Sequence, residues 1–214
     1  MENIFRESIY MGNKFILKII EKGLEIWVKS KCDKVDHIKL DISSSPLEIL
    51  KGKIKRIRLF AENIMFNDLY FRKIEITSGP IEFDLKIGPH STPLSIKEDF
   101  KIRCNISLDN DNIYSALSNT KWQKLIMFIF NDDKGKYEIN NLFIEDNKLI
   151  LEKSGSGINL QEKFSISAEK GTILFHCDKT KKRFTLPMDT AIEITNAEAR
   201  DNIILIDLYS KVII

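Results

Sequence analysis

The stretch FKIRCNISLDNDNIYSAL, from Phe100 to Leu117, changes its hydrophobic period halfway along. Phe100, Ile102, Cys104, Ile106 and Leu108 alternate with Lys101, Arg103, Asn105 and Ser107. Successive strand side chains point to opposite faces, so this segment predicts a strand with one dry and one wet face, the habit of an antiparallel sheet. Asp109-Asn110-Asp111 then offers capping side chains, and Ile113 and Leu117 follow at helical spacing. A strand and a helix in succession, each with an apolar side, have to bury those sides against other layers.

The same two periods recur on either side. Ile81, Phe83, Leu85 and Ile87 alternate with Glu82, Asp84 and Lys86, and Ile38, Leu40 and Ile42 with Lys39 and Asp41. A turn around Lys51–Gly52 leads into an extended stretch over 54–66, followed by a strand over 69–77. Upstream, from Phe15 to about Val28, Ile16, Ile20, Leu24 and Trp27 recur at helical spacing, with Leu17, Ile19, Ile26 and Val28 widening the stripe. Lys18, Glu21, Lys22, Glu25 and Lys29 take the other side, which predicts an amphipathic helix with a broad apolar face. Downstream, Ser118-Asn119-Thr120 interrupts the second helical pattern before Trp122, Leu125, Ile126, Ile129 and Phe130 resume it. Strands are expected over 137–145, 148–153, 163–168, 172–177, 182–187, 191–195 and 202–213. Asp146-Asn147 and Glu169-Lys170-Gly171 read as hairpin turns, and Ser154–Gly157 as a loop. The expected organisation is a flexible lead-in over 1–12 and a single domain over 13–214. Its class is α+β: a strongly curved antiparallel sheet wrapped around two amphipathic helices.

Composition narrows the function. Across 214 residues, Lys+Arg number 33 against 31 Asp+Glu. No global field therefore draws the chain to nucleic acid or a membrane, and electrostatic recognition must be local. Cys32, Cys104 and Cys177 are scattered and fit no metal or redox spacing, as expected of free thiols in a reducing compartment. Glu2 and Glu7 stand where a secretion signal needs a basic-then-apolar run. The longest apolar runs, Leu125–Phe130 and Ile203–Ile206, are too short to span a bilayer. The expectation is a cytoplasmic protein with, at most, peripheral membrane contact.

Motifs of catalysis are missing. No nucleophile elbow, dinucleotide fingerprint or phosphate-binding loop occurs in the sequence. His37, His90 and His176 lack partners at metal spacing, and His176 and Cys177 point to opposite faces of any regular strand. Asp189, after Pro187-Met188, reads as a turn or cap. The expectation is therefore no enzyme, no cofactor and no metal. Two basic clusters stand out: Lys51, Lys53, Lys55, Arg56 and Arg58, and Lys179, Lys181, Lys182 and Arg183. Lys53, Lys55 and Arg58 should face water, since Ile57 and Leu59 take the other side. They are candidates for contact with anionic headgroups, against the alternative of lysines guarding a sheet edge. Neither cluster interleaves basic and aromatic residues as nucleic-acid binding wants.

The segment from about 35 to 130 has a recognisable shape. Leu50-Lys51-Gly52-Lys53-Ile54 precedes Ile57, Leu59, Ala61, Ile64 and Leu69, then Ile74, Ile76 and Ile81. Together with Leu108, Ile113, Ala116 and Leu117 at the helix start, this pattern resembles the LmeA-like phospholipid-binding proteins. Asn112 and Tyr114 depart from it, standing where the family has Asp and Asn. The helix Phe15–Cys32 and the strands over 137–213 extend the likeness to most of the chain. The resemblance implies a lipid-binding fold without catalytic residues, similar to the tubular (TULIP-like) lipid-binding domains, with an apolar channel between sheet and helices. Candidates for its wall are Ile20, Leu24, Ile57, Leu59, Ile74, Ile76, Phe83, Leu85, Ile102, Ile106 and Leu117. The implied partner is a phospholipid or other acyl lipid, with peripheral contact to an anionic membrane and no nucleic acid. A protein-interaction or assembly scaffold with the same fold and a filled core uses the same residues, so this alternative stays open.

Overall fold

A computed structural model describes residues 17–85, 94–130 and 137–214, apart from Ile19, Trp27 and Ser156. Its backbone is an antiparallel sheet of six strands, in the order β1 (Lys34–Ser43), β3 (Arg56–Phe66), β4 (Leu69–Ser78), β7 (Phe100–Leu108), β14 (Ile203–Val212) and β13 (Ile192–Arg200). The alternation read from the sequence becomes rows across the sheet. Leu40, Leu59, Ile76, Cys104, Leu208 and Ile194 stand side by side on the inner face. One residue along each strand, Asp41, Arg58, Thr77, Arg103, Tyr209 and Glu193 form the matching row on the outer face. Tight hairpins close the strands at Asn67-Asp68 and Asp201-Asn202, all four residues having φ between 53° and 65°. Asn and Asp tolerate this left-handed region, which matches the right-handed twist of paired strands.

Five further strands make a second sheet, in the order β12 (Arg183–Thr185), β11 (Thr172–Cys177), β10 (Ile158–Glu169), β9 (Lys148–Gly155) and β8 (Glu138–Glu145). The expected turns at Asp146-Asn147 and Lys170-Gly171 are there, again with positive φ. Helices α3 (Asn110–Ser118) and α4 (Thr120–Phe130) cover this sheet. Asn119 makes the break between them, its Oδ1 accepting from the N–H groups of Lys121 and Trp122 at 2.9 and 3.4 Å. The largest core lies among these helices, the second sheet and the β14–β13 end of the first. Phe130 is central to it, its ring 5.0 Å from those of Phe164 and Phe175.

The opposite end of the six-stranded sheet is covered by helix α1, over residues 17–31. There Ile20 packs with Ile42, Ile49, Ile54, Ile81 and Phe83, and Val28 and Cys32 pack on Leu59, Ala61 and Ile64. A third, small sheet closes this end, in the order β2 (Lys53–Ile54), β5 (Ile81–Leu85) and β6 (Leu94–Ile96).

Several elements depart from expectation. The extended stretch over 54–66 is broken at Lys55, so β2 and β3 belong to different sheets. The Ser44 hydroxyl turns the chain here, accepting from the Lys55 N–H at 3.3 Å and donating to the Lys53 carbonyl at 3.2 Å. Short helix α2 (Pro46–Leu50) was not anticipated, although Ser45 and Glu48 form a capping box that the sequence spells out. Strands β10 and β13 run five residues past the expected 163 and 195. Among the described residues the strands form three sheets where one was expected, and α1 to α4 make four helices where two were expected. The coarse class stands: α+β, with mainly antiparallel sheets and no closed barrel among the described residues.

Candidate functional site

The apolar candidates converge chiefly under α1. Ile20, Leu24, Ile57 and Phe83 belong to one cluster there, and Leu59, Ile74 and Ile76 to the cluster beside it, with Leu40 touching both. Ile106 and Leu117 lie instead in the large core with α3 and α4. Ile102 is half-buried and belongs to none of these clusters, and the Leu85 side chain lies outside the described residues.

Both ends of the molecule have a sealed centre. In the large core Leu149, Leu151 and Phe164 are at most 2% exposed. Under α1, Ile54 and Phe83 are as deeply buried, and Ile42, Leu59, Ala61 and Ile64 are buried too. But Ile38, Leu40, Ile57, Phe71, Ile74 and Ile76 on the sheet are half-buried, as are Leu17, Leu24, Val28 and Cys32 packed with them. A single helix is too narrow to cover three strands spaced about 4.8 Å apart with the density that two helices and a second sheet achieve. An apolar seam between α1 and the inner face of β1, β3 and β4 is the consequence.

Beside this seam stands α2. Ile49 enters the same cluster as Ile20, while Leu47 and Leu50 face solvent at 69% and 64% exposure. Sequence reasoning missed this pair because five residues carry no helical period. The basic candidates surround it unevenly. Lys53 is paired with Glu82 at 2.6 Å and Lys55 with Glu48 at 3.0 Å. The Glu48 carboxyl is held down at about 2, by the Ser45 backbone N–H first and then by Lys55 and the Ser45 hydroxyl. Arg58 projects from β3 on the outer face of the other sheet, so it does not share a row with Lys53.

The remaining polar candidates resolve into ordinary roles. The His37 ring packs edge-on against Phe60, with centroids 6.2 Å apart, and His90 lies outside the described residues. His176 pairs in register with Arg183 while its neighbour Cys177 is buried, so the two do point apart. Asp189 accepts from the Ala191 N–H at 2.8 Å, the turn role its setting predicts. Burial, then the nearby Asp207 carboxylate, pushes the Cys104 thiol up to about 12. Among the described residues no group of three His, Cys, Asp or Glu side chains is arranged to hold a metal ion. Nor is any helix of the described residues long and apolar enough to cross a membrane.

Concavities open on the outer face of the six-stranded sheet among the described residues. One of about 780 Å³ is bordered by His37, Lys39, Arg58 and Thr77, and one of about 620 Å³ by Lys101, Glu193, Tyr209 and Lys211. A third, of about 280 Å³, lies over Lys73, Asn105 and Asp207. The molecule is thus an α+β protein with an incompletely covered apolar seam on one side of a sheet and a polar, indented surface on the other. The chain matches no family model, no curated protein and no solved structure.

Proposed function

We propose that the protein binds lipid without catalysing a reaction, taking an acyl chain into the seam between α1 and the inner face of β1, β3 and β4. The observation that carries this reading is the set of half-buried apolar side chains, Leu40, Ile57, Ile74 and Ile76, that a single helix leaves incompletely covered. Apolar side chains left half-exposed in a row are stabilised by any apolar chain that completes their cover, at roughly 25 cal/mol per Å² removed from water. An acyl chain fits such a seam because it needs no hydrogen-bond partners there. The likeness of Leu50–Ile54 and Leu108–Leu117 to the LmeA-like pattern supports the same reading, and with it a TULIP-like wrapping of sheet around helix. Leu47 and Leu50 would insert at a membrane surface, with Lys51 beside them, and Lys53 and Lys55 would reach headgroups by exchanging Glu82 and Glu48 for phosphate.

The test is saturable binding of a fluorescent polyene fatty acid. Leu24→Phe with Ile76→Phe fills the seam, and the expected result is at least a tenfold loss of affinity with an equal or higher melting temperature. No saturable binding by the wild-type protein, or equal binding by the filled variant, would refute the seam. Phe128, 78% exposed on α4, favours a second reading, an assembly scaffold with a filled core. That reading predicts that Phe128→Ser abolishes self- or partner-association in sedimentation while the fatty acid never binds.

A further inference from the structure

One end of the outer face of the six-stranded sheet brings four basic side chains together around short residues of β4. Strand β4 is short-chained at one end, with Thr77 and then Gly79, whose N–H continues the ladder by donating to the Lys101 carbonyl at 2.8 Å. Its neighbours are basic at the same level. Thr77 stands between Arg58 of β3 and Arg103 of β7, and one row further on Arg56 and Lys101 flank Gly79. All four cations are exposed, and among the described residues none has an ion-pair partner. On the same face Lys73 pairs with Glu75 at 2.5 Å, Lys211 with Asp99 at 2.7 Å and Arg200 with Glu198 at 3.5 Å. Lys39 on β1 is exposed and, among the described residues, without an ion pair, like the four. Even Asp41, opposite Arg58 in register, forms no ion pair with it.

We infer that Arg56, Arg58, Lys101 and Arg103 form a cradle over Thr77 and Gly79 that binds a compact phosphate-bearing anion. Strands β3 and β7 lie two spacings apart, about 10 Å. Long basic side chains from both can therefore lean inward over the short residues of β4 and meet one or two phosphate groups. Guanidinium groups match phosphate in paired hydrogen bonds, and the Thr77 hydroxyl supplies a further donor at the floor. Like charges facing each other across a sheet repel, so an unfilled cradle destabilises the fold and a bound anion removes that repulsion. The Arg103 guanidinium lies 5.9 Å from the Tyr209 ring of β14, on the far side of β7, so binding requires it to leave that ring and swing across β7 toward Thr77. Carboxylates end the patch on both sides, Asp41 on β1 and Glu193 on β13, with Glu75 one row along. That border fits an anion of one or two phosphates and excludes the long basic track a nucleic-acid strand requires. The cradle lies on the opposite face from the acyl seam and stands whether or not the seam holds lipid.

A phosphate of this kind comes from a soluble molecule or from a lipid headgroup, and two assays on the full chain separate them. One is calorimetric titration with inorganic pyrophosphate. The other is co-sedimentation with phosphatidylcholine vesicles, with and without phosphatidic acid. Whichever source binds, Arg58→Gln with Arg103→Gln should weaken it at least tenfold, and Thr77→Phe should do so without changing the charge. Lys124→Gln with Lys163→Gln removes the same charge elsewhere and should leave binding within twofold. Without phosphate, the arginine double variant should melt at or above the wild-type temperature. The inference is overturned if neither assay shows binding, if Thr77→Phe binds as wild type does, or if the control pair loses as much as the arginine pair. It is equally overturned if single-stranded RNA binds more tightly than pyrophosphate and the phosphatidic acid vesicles, or if the arginine variant melts lower.

Discussion

Lys153 is only 7% exposed, and its two partners explain how its side chain is accommodated there. Its Nζ donates to the carbonyl of Phe130, the last residue of α4, at 2.8 Å and pairs with Glu162 at 2.8 Å. A cation at a helix C-terminus satisfies a carbonyl that the helix itself leaves free. Lys153→Met leaves that carbonyl and the Glu162 carboxylate without their partner and should cost about 3 kcal/mol in urea unfolding. Adding Glu162→Met should recover part of the loss. The position was legible in outline: alternation from Leu149 and Leu151 puts Lys153 inward, and a lone lysine at an inward position signals a buried partner. Its partner's identity was not legible, because Phe130 reaches it from a different layer. Leu59 is simpler. Alternation with Arg58 sends it inward, it is buried under α1, and Leu59→Ala should cost about 3 kcal/mol by the same measurement. Cys104 lies two strands along the same row, on β7 beyond Ile76 of β4, and a thiol pushed up to about 12 stays protonated at pH 8. Iodoacetamide should therefore leave Cys104 unmodified in the native protein and label it only after unfolding.

Among the elements, the turn joining α2 to β2 is the most constrained. Gly52 has φ of 72°, and a Cβ there would lie 2.2 Å from the backbone oxygen of Phe83. Gly52→Ala should destabilise by about 2 kcal/mol or more and lower the melting temperature, since strain and a backbone clash coincide. The Lys51–Gly52 turn was readable from sequence because glycine marks such positions, whereas α2 before it was too short to show a period. Its capping box gives a pH prediction. Glu48 is lowered from 4.5 to about 2 in the folded protein, so its contribution is complete above 4.5 and disappears as pH falls through 2. Hydrogen exchange at the Glu48 amide should accelerate over that window once intrinsic exchange is corrected for. Ser45→Ala should reproduce the loss at neutral pH, at about 1 kcal/mol.

For the whole molecule, the alternating strands and both amphipathic helices were visible in the sequence, but their partition into three sheets was not. Period two looks the same in β1, β5 and β10, and nothing in it says which strand lies beside which. The break at Lys55 depends on the Ser44 hydroxyl, eleven residues away, and so leaves no local pattern. The seam was half legible for the same reason. Inward positions such as Ile57, Ile74 and Ile76 follow from alternation, but how well they are covered depends on what packs above them. The phosphate cradle was less legible still: Arg58 was singled out on β3, while Arg103 entered only as the polar partner in an alternating strand, and β4 alone brings the two together. The lipid reading depends on the seam being occupied in the cell. Organic extraction of natively purified protein followed by lipid mass spectrometry measures that directly. One acyl lipid per protein molecule is expected, lost from the Leu24→Phe, Ile76→Phe variant. Extracts of both proteins without stoichiometric lipid would contradict it.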